Sequence, residues 1–233
     1  MFDNFFERLY DQIVVQEYYK LLLDGLWVTI QVSLMALVLG IIIGTLLAVI
    51  KVVPKKSIFG RIAEWIANIY ITVIRGIPMV VLLFLLYFVL FARLLDFMEA
   101  IWVAILAMGI NSGAYVAEIV RSGILAVDHG QMEAGRSLGL TYRTTMWKIV
   151  LPQAIKNILP ALGNEFITLI KDTSVVGFIT VFDLTRAARA IVANTYDVAI
   201  GYIVLAAIYL VLVMIATALV NLLERRLRRS DRR

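Results

Sequence analysis

The sequence has no cysteine and only one histidine, His129, and these shortages exclude most catalytic and metal-binding chemistry. Without cysteine there is no disulfide, no thiolate metal ligand and no cysteine nucleophile, and this residue type says nothing about the redox compartment. A metal cage or a Ser/His/Asp triad would depend on His129 alone, which we interpret as part of a solvated, charged loop. We therefore predict that the chain is not an enzyme and holds no metal ion.

Charged residues are also scarce, at 17% of the chain, whereas hydrophobic residues make up 62% and the mean hydropathy is +0.90. One soluble core could not bury this much apolar surface, so lipid must be part of the solvent. Windows of about 20 apolar residues predict an all-α membrane protein with five transmembrane helices. The predicted spans are Leu26–Ile50, Ile66–Phe91, Ala100–Val120, Ile158–Val181 and Val198–Leu223.

Two of these spans contain polar interruptions. Arg75 and Pro78 lie in the second span, and Lys171 and Asp172 lie in the fourth. Polar residues at membrane depth normally face protein or water. We expect Pro78 to kink the second helix and the fourth helix to be interrupted near Asp172.

Lysine and arginine are unevenly divided between the two sides that five spans define. The side with fewer holds Arg8, Lys20, Arg93, Arg186 and Arg189. Because cytoplasmic segments are enriched in these residues, we predict an external N-terminus and a cytoplasmic C-terminus with a basic tail over 224–233. The richer side holds Lys51, Lys55, Lys56, Arg61, Arg121, Arg136, Arg143, Lys148, Lys156, Arg225, Arg226, Arg228, Arg229, Arg232 and Arg233.

The N-terminal segment 1–24 lacks the cationic start and short apolar stretch of a cleavable signal sequence. Its apolar residues have near-helical spacing, which predicts an external helix in the membrane interface. A frayed tail is the alternative. The apolar residues are Phe2, Phe5, Phe6, Leu9 and Ile13.

The longest predicted cytoplasmic segment, 122–157, separates the third and fourth spans and is patterned, unlike a simple connector. We interpret Glu133 as part of the acidic first turn of a short helix that stops at Gly139. A second helical stretch over 144–150 is expected to end at Pro152. Two short helices at a fixed angle make a compact unit, and we call segment 122–157 the cytoplasmic knob.

At these residues the sequence resembles the EAA motif of binding-protein-dependent ABC transporter permeases. That motif is Glu-Ala-Ala, three residues, Gly, nine residues, Ile, one residue and Leu-Pro, and its spacing is matched throughout. The one departure is Gly135 in place of the second alanine, a small-for-small change that leaves space for an ATPase groove. The matching residues are Glu133, Ala134, Gly139, Ile149, Leu151 and Pro152.

Three further segments resemble the polar amino acid uptake branch of these permeases, and the likeness runs from about Gly25 to the end of the fifth span. Departures at Ile77, where threonine is common, and Val175, where leucine is common, bear on fine specificity. The segments are Arg75-Gly76-Ile77-Pro78, Ala114 to Glu118 with Arg121 and Gly123, and Lys171-Asp172-Thr173-Ser174.

The resemblance implies one transmembrane permease domain over 1–233 with the type I ABC importer fold, in which a coupling helix docks on a cytoplasmic ATPase. Its partners would be a second permease, identical or paralogous, two ATP-binding subunits and an external substrate-binding protein, in a prokaryotic inner membrane. No nucleic acid partner is expected, because the basic tail follows a span and faces lipid. The coupling residues would be Glu133, Ala134, Gly135, Ser137, Leu138 and Gly139.

ATP and Mg²⁺ would be bound by the partner ATPase, so we expect no cofactor on this chain. The sequence agrees with that division, because no glycine-rich stretch precedes Lys-Ser or Lys-Thr as in a phosphate-binding loop.

Polar residues at helical spacing in the third and fourth spans predict a substrate pathway. Residues three, four or seven apart share a helix face, and acids at membrane depth cost roughly 2.5–3.5 kcal/mol each unless a cavity or partner compensates. We predict substrate contacts from both stripes, with backbone N–H groups near the interruption binding the substrate carboxylate. The residues are Asn111, Tyr115, Glu165, Thr168, Asp172 and Thr173.

A structural alternative is that Glu165 and Asp172 neutralise Arg75 or Lys171 and hydrogen-bond between helices. Glu118 is interpreted as a structural partner of Arg121 rather than a ligand. In the first span, Gly40 and Gly44 predict close packing with a neighbouring helix.

An acidic pathway favours a basic amino acid, arginine, lysine or histidine, as substrate, with glutamine or another polar amino acid as the alternative. Two other classes of protein compete. A gradient-driven secondary transporter would use Glu165, Lys171 and Asp172 as an ion relay, but it needs no ATPase dock. A membrane scaffold or sensor would explain neither the stacked acids nor the broken fourth helix.

Overall fold

The computed structural model describes residues 4–55, 57–91 and 98–229, and within these residues all regular structure is helical. The α-helices are α1 (Phe5–Tyr10), α2 (Tyr19–Val52), α3 (Ile58–Gly76), α4 (Met79–Phe84), α5 (Ala100–Leu125), α6 (His129–Ser137), α7 (Tyr142–Thr145), α8 (Leu151–Asp172), α9 (Leu184–Thr195) and α10 (Val198–Arg229). Wider π-helical turns occupy Asp11–Val15, Leu85–Phe91 and Met146–Val150, and a 3₁₀ segment occupies Thr173–Ile179. Outside the described residues lie Phe2, Lys56, Arg93, Arg232 and Arg233.

Three of the described helices are long and apolar enough to cross a membrane: α2, α5 and α10 over Val198–Leu227. They coincide with the first, third and fifth predicted spans. A fourth crossing results if α3 and the helix from Met79 to Leu90 form one broken span. The fourth predicted span is divided between α8 and the 3₁₀ segment and does not meet the same criterion. Five crossings and their orientation therefore stay predictions.

The second predicted span contains a complete break, which is larger than the predicted kink. Helix α3 ends at Gly76, Ile77 has an extended backbone with φ −100° and ψ 129°, and α4 begins at Met79. The two helix axes differ in direction by 107°. Pro78 explains the break, because a proline ring disfavours helical geometry at the residue before it.

The chain forms two compact units. The first comprises the described residues of Met1–Ala36, Met79–Met108 and Thr168–Ile215. The second comprises those of Leu37–Pro78, Gly109–Ile167 and Ala216–Arg233. Each unit therefore draws on segments that are far apart in sequence.

Both units have a small apolar core. In the first unit, Leu22 of α2 packs with Leu184 and Ile191 of α9. In the second unit, Ile71 of α3 packs with Ala114 of α5. In lipid, these contacts stabilise the fold through van der Waals packing rather than through the removal of apolar surface from water.

Glycines permit a close approach of α2 and α5 in the second unit. Gly40 and Gly44 face α5, where a Cβ atom at Gly44 would lie 2.6 Å from Cβ of Val116 and 2.7 Å from the backbone nitrogen of Ala117. Gly109 of α5 faces α2 in the same way. The predicted close packing of Gly40 and Gly44 against a neighbouring span is confirmed.

The N-terminal segment is helical over Phe5–Val15 rather than frayed. Arg8 donates a 2.8 Å hydrogen bond to the Asp197 carboxylate, and Gln12 donates a 3.4 Å bond to the same group. Asp197 also accepts from the backbone N–H of Ile200 at 3.2 Å, which caps the start of α10. The N-terminal helix is thereby fastened to the beginning of α10, while its position in a membrane interface stays a prediction.

Candidate functional site

The first helix of the cytoplasmic knob, α6, has well-formed caps at both ends. The Asp128 side chain accepts a 2.7 Å bond from the backbone N–H of Gly130 at the start. At the end, the N–H of Gly139 bonds to the carbonyl of Arg136 at 3.0 Å, and the N–H of Leu140 bonds to that of Gly135 at 3.1 Å. This pair of bonds is a Schellman motif, and its φ of +83° at Gly139 favours glycine. The predicted glycine stop is confirmed.

The beginning of α6 differs from the prediction. Because Asp128 caps the helix, it starts at His129, and Glu133 lies in its second turn rather than its first. His129 is therefore helical, not part of a loop, although it is solvent-exposed as expected. Its Nδ1 lies 3.4 Å from the Glu133 carboxylate one turn away. No group of three or more potential metal-ligating side chains occurs in the described ranges.

Pro152 does not end the second helix of the knob, so that prediction is wrong. The Thr141 side chain caps α7, and the helical path then continues through the π-helical turn Met146–Val150 into α8 as far as Asp172. A proline inside a helix removes one N–H donor and crowds the carbonyl four residues earlier, here that of Lys148. The wider π turn just before Pro152 accommodates this crowding.

Of the six predicted coupling residues in α6 and at its C-terminal end, one is buried and five are exposed. Gly135 is buried, and a Cβ atom there would lie 2.5 Å from Cγ2 of Thr145 and 3.2 Å from Cδ1 of Ile149. Its small size thus permits α6 to pack on the next helix, and the predicted reason, space for an ATPase groove, is wrong. The exposed members are Glu133, Ala134, Ser137, Leu138 and Gly139, with Leu138 exposed by 81%.

In the second unit, the predicted substrate residues Asn111, Tyr115 and Glu165 have unequal exposure. Asn111 and Glu165 are buried, with 7% and 8% of their surface exposed, whereas Tyr115 is 36% exposed. The Ser112 hydroxyl donates a 2.7 Å bond to Glu165, so this acid hydrogen-bonds between helices, as the structural alternative requires. The Arg75 guanidinium lies 5.1 Å from the ring centroid of Tyr115, a cation–π distance.

Ser112 was not among the predicted functional residues. Ser112 lies three residues before Tyr115 and therefore shares a helix face with it, so the spacing did contain a signal for this residue.

In the first unit, the predicted substrate residues Thr168, Asp172 and Thr173 lie at the end of α8. The helix ends at Asp172, which agrees with the predicted interruption. Thr168 is exposed and Asp172 is half-buried, whereas Thr173 is fully buried and its hydroxyl donates a 2.6 Å bond to the carbonyl of Ile170. A cavity of about 370 Å³ borders the break and is lined in part by Lys171 and Ser174.

Glu118 is a structural residue, as predicted. Its carboxylate lies 2.8 Å from Arg121 on the same helix. It also accepts a 2.6 Å bond from Lys51 at the end of α2. Lys51 was missed because it is 67 residues away in sequence, and only the α2–α5 packing brings it to Glu118.

Residues 36–229 match the family described as "Binding-protein-dependent transport system inner membrane component". The chain belongs to this family.

Relatives of this chain are named for the transport of different amino acids. This chain is 39% identical over 211 residues to the arginine transport system permease protein ArtQ of Bacillus subtilis (strain 168). The match covers 90% of this chain and 94% of ArtQ. This chain is also 36% identical over 214 residues to the probable glutamine ABC transporter permease protein GlnM of the same organism, and the match covers 91% of this chain and 95% of GlnM. The L-cystine transport system permease protein TcyB, also from that organism, is 34% identical to this chain over 218 residues. The match covers 93% of this chain and 91% of TcyB.

Two solved structures share the fold of this inner membrane component. One, described as an amino acid ABC transporter with histidines, has a TM-score of 0.85 and 42% identity, and the match covers 93% of this chain and 98% of the other. The other, the inward-facing MetNI methionine ABC transporter, has a TM-score of 0.76 and 20% identity, and the match covers 89% of this chain and 96% of the other. At this identity the likeness supports the fold alone. The predicted all-helical permease architecture is confirmed at this level.

The departure from the EAA motif gives a prediction for this family member. Gly135→Ala places a Cβ atom against Thr145 and is expected to destabilise the knob by about 1–3 kcal/mol. Hydrogen exchange over residues 129–150 of the purified chain would show a loss of protection of roughly 10- to 100-fold. Adding Thr145→Ala should restore most of it, since that change removes the nearest atom.

Thr145→Ala alone is the control. It removes only the 3.0 Å bond from the Thr145 hydroxyl to the carbonyl of Thr141, worth about 0.5–1.5 kcal/mol. Equal exchange in Gly135→Ala and in the double variant would contradict the packing role assigned to Gly135.

Proposed function

We propose that this chain is the permease subunit of an ATP-binding cassette importer for polar amino acids. The observation that carries the proposal is the cytoplasmic knob, whose capped helix presents Glu133 and Leu138 to solvent while Gly135 faces inward. A rigid, exposed helix of this kind suits docking in a groove of another protein. Membership of the inner membrane component family, and relatives named for arginine, glutamine and cystine transport, support the same class.

The complete transporter would contain a second permease, identical or paralogous, with two cytoplasmic ATP-binding subunits and an external substrate-binding protein. ATP and Mg²⁺ would be held by the ATP-binding subunits. The chain would cross a prokaryotic inner membrane five times, with its N-terminus outside and the knob in the cytoplasm, as the distribution of basic residues indicates.

The knob would transmit movement because it is built into a long helical run. From Tyr142 in the knob, helical structure continues without interruption to Asp172. The five exposed coupling residues would contact the ATPase, and Gly135 would set the angle between α6 and the start of this run. A displacement at the knob would thus reach the end of α8, where the predicted substrate residues Thr168, Asp172 and Thr173 lie.

The substrate would contact Asn111, Tyr115 and Glu165 on one part of its path and Thr168, Asp172 and Thr173 on another. Thr173 would act through its backbone, since its side chain is buried and bonded to Ile170. An acid at the end of α8 suits the ammonium or a basic side chain of the substrate. A basic amino acid is therefore the first choice, and glutamine is the alternative.

Reconstitution of the chain with its ATP-binding subunits in vesicles would test the proposed class. Radiolabelled arginine or glutamine should accumulate only when ATP and the binding protein are supplied, and an ionophore that collapses ion gradients should not prevent it. Accumulation without nucleotide, driven by an ion gradient, would instead support a secondary transporter.

Asp172→Asn tests the substrate preference in the same vesicles. Loss of one charge-assisted contact should lower the kcat/KM for arginine about 10- to 100-fold, with a smaller effect on glutamine. Asp24→Asn is the control, because Asp24 is an exposed acid of the same unit. Unchanged arginine uptake in Asp172→Asn would remove this acid from the pathway.

A further inference from the structure

An open cavity of about 470 Å³ lies in the first unit, and none of the proposed coupling or substrate residues lines it. Its walls come from the end of the 3₁₀ segment, which closes the fourth predicted span, and from α9, which lies between the fourth and fifth predicted spans. Two cations and two aromatic rings face it: Arg186, Arg189, Phe178 and Phe182. Its volume falls within the range of small-molecule sites, about 300–1,000 Å³.

The backbone beneath the cavity is firmly held. Asp183, which is 0% exposed, caps α9 by accepting bonds from the N–H groups of Thr185 at 2.9 Å and Arg186 at 3.0 Å. The N–H of Leu184 bonds to the Thr29 hydroxyl of α2 at 3.2 Å. Because Arg186 and Arg189 lie one turn apart, this anchoring fixes where both side chains leave the helix.

Both arginine side chains are also oriented by neighbours. The Arg186 guanidinium donates to the carbonyl of Thr180, whose φ of 72° turns the chain at the cavity. The Arg189 guanidinium lies 5.6 Å from the ring centroid of Phe178. That ring packs edge-on against Phe84 of α4, with 6.2 Å between centroids and an interplanar angle of 88°.

The guanidinium groups of the cavity are not ion-paired within the part of the chain that the structure describes, and the nearby Asp183 carboxylate is bonded to backbone N–H groups instead. No ion pair there joins Arg186 or Arg189 to a carboxylate. Like charges one helical turn apart repel each other, so an anion between them would be stabilised. Guanidinium groups bind carboxylates through two parallel hydrogen bonds, and an aromatic wall suits the apolar part of a small ligand.

We propose that this cavity binds the carboxylate of an amino acid on its way into the transporter. The inference rests on the proposed function, and on the proposed orientation it places the site on the external, receiving side. Arg186 and Arg189 would bind the carboxylate, with Phe178 against the rest of the molecule. The two arginines would thus distinguish amino acids from amines. Asp172 would bind the ammonium group or the basic side chain of the substrate elsewhere on the path.

Equilibrium binding of radiolabelled L-arginine and L-glutamine to the full chain in phosphatidylcholine nanodiscs tests the proposal without requiring ATP. Bound label should be displaced by the unlabelled amino acid at concentrations about tenfold or more below those of its amide, which lacks the carboxylate. The double variant Arg186→Gln/Arg189→Gln should lose this preference, and Arg186→Lys/Arg189→Lys should keep part of it. Lys20→Gln, an exposed cation of the same unit, is the control.

Three results would overturn the assignment. They are the absence of bound label, equal competition by acid and amide in the native chain, and an unchanged preference in the double glutamine variant. If that variant instead weakens only the affinity for the external binding protein, the arginines form a protein dock and the proposal fails. Because binding needs no ATP, failure of ATP-dependent uptake would contradict the proposed function separately.

Discussion

Leu138→Ser is expected to weaken the association of the ATP-binding subunits with the permease about 10- to 100-fold and to lower ATP-dependent transport. Leu138 follows the last turn of α6 and is 81% exposed, so the fold of this chain gains little from its side chain. A leucine buried in an interface contributes roughly 1.5–3 kcal/mol, which corresponds to about a 10- to 100-fold loss of affinity. Co-purification and a titration of the ATP-binding subunit would measure the loss.

The control for this prediction is Leu125→Ser, which changes another exposed leucine of the same unit. Leu125 ends α5, is 64% exposed and is not one of the predicted coupling residues. Its replacement should leave the association unchanged. Full ATPase binding by the Leu138 variant, at unchanged thermal stability, would show that the knob is not the dock.

Gly44→Ala is expected to destabilise the second unit, because the added methyl group would clash with α5. The new Cβ atom would lie 2.7 Å from the backbone nitrogen of Ala117, and backbone cannot move aside as a flexible side chain can. Overpacking of this kind costs about 1–3 kcal/mol. For a chain of this size the midpoint of thermal unfolding in detergent should fall by roughly 2–12 °C.

Gly76→Ala is the matched control, because its Cβ would meet no atom within 4 Å apart from those of its chain neighbours and of its own helix backbone. It should leave the unfolding midpoint unchanged or raise it slightly, since alanine restricts the unfolded chain more than glycine does. Equal midpoints for the two variants would mean that α2 and α5 do not pack through Gly44.

Agreement between the predicted and observed knob depends on how local each interaction is. The stop at Gly139 was predictable because its two capping bonds join residues within five positions of each other. The start at His129 was missed because Asp128 was not recognised as a cap. The predicted stop at Pro152 is wrong because a sequence pattern does not show that a π turn accommodates the proline ring.

For the candidate substrate residues too, local features were predictable from the sequence and contacts between helices were not. The interruption after Asp172 was visible as polar residues inside an apolar run. That Ser112 donates to Glu165 depends on the packing of α5 against α8, because the two residues are 53 positions apart in sequence.

By itself, the sequence determined the helical membrane class, three of the apolar spans, the glycine stop and the family, because these depend on composition and on residues a few positions apart. Only the tertiary structure decided that Gly135 faces Thr145, that Lys51 joins Glu118, and that two arginines of α9 share a cavity with Phe178. These contacts depend on which side chains helix packing brings together. Spacing along one helix does not contain that information.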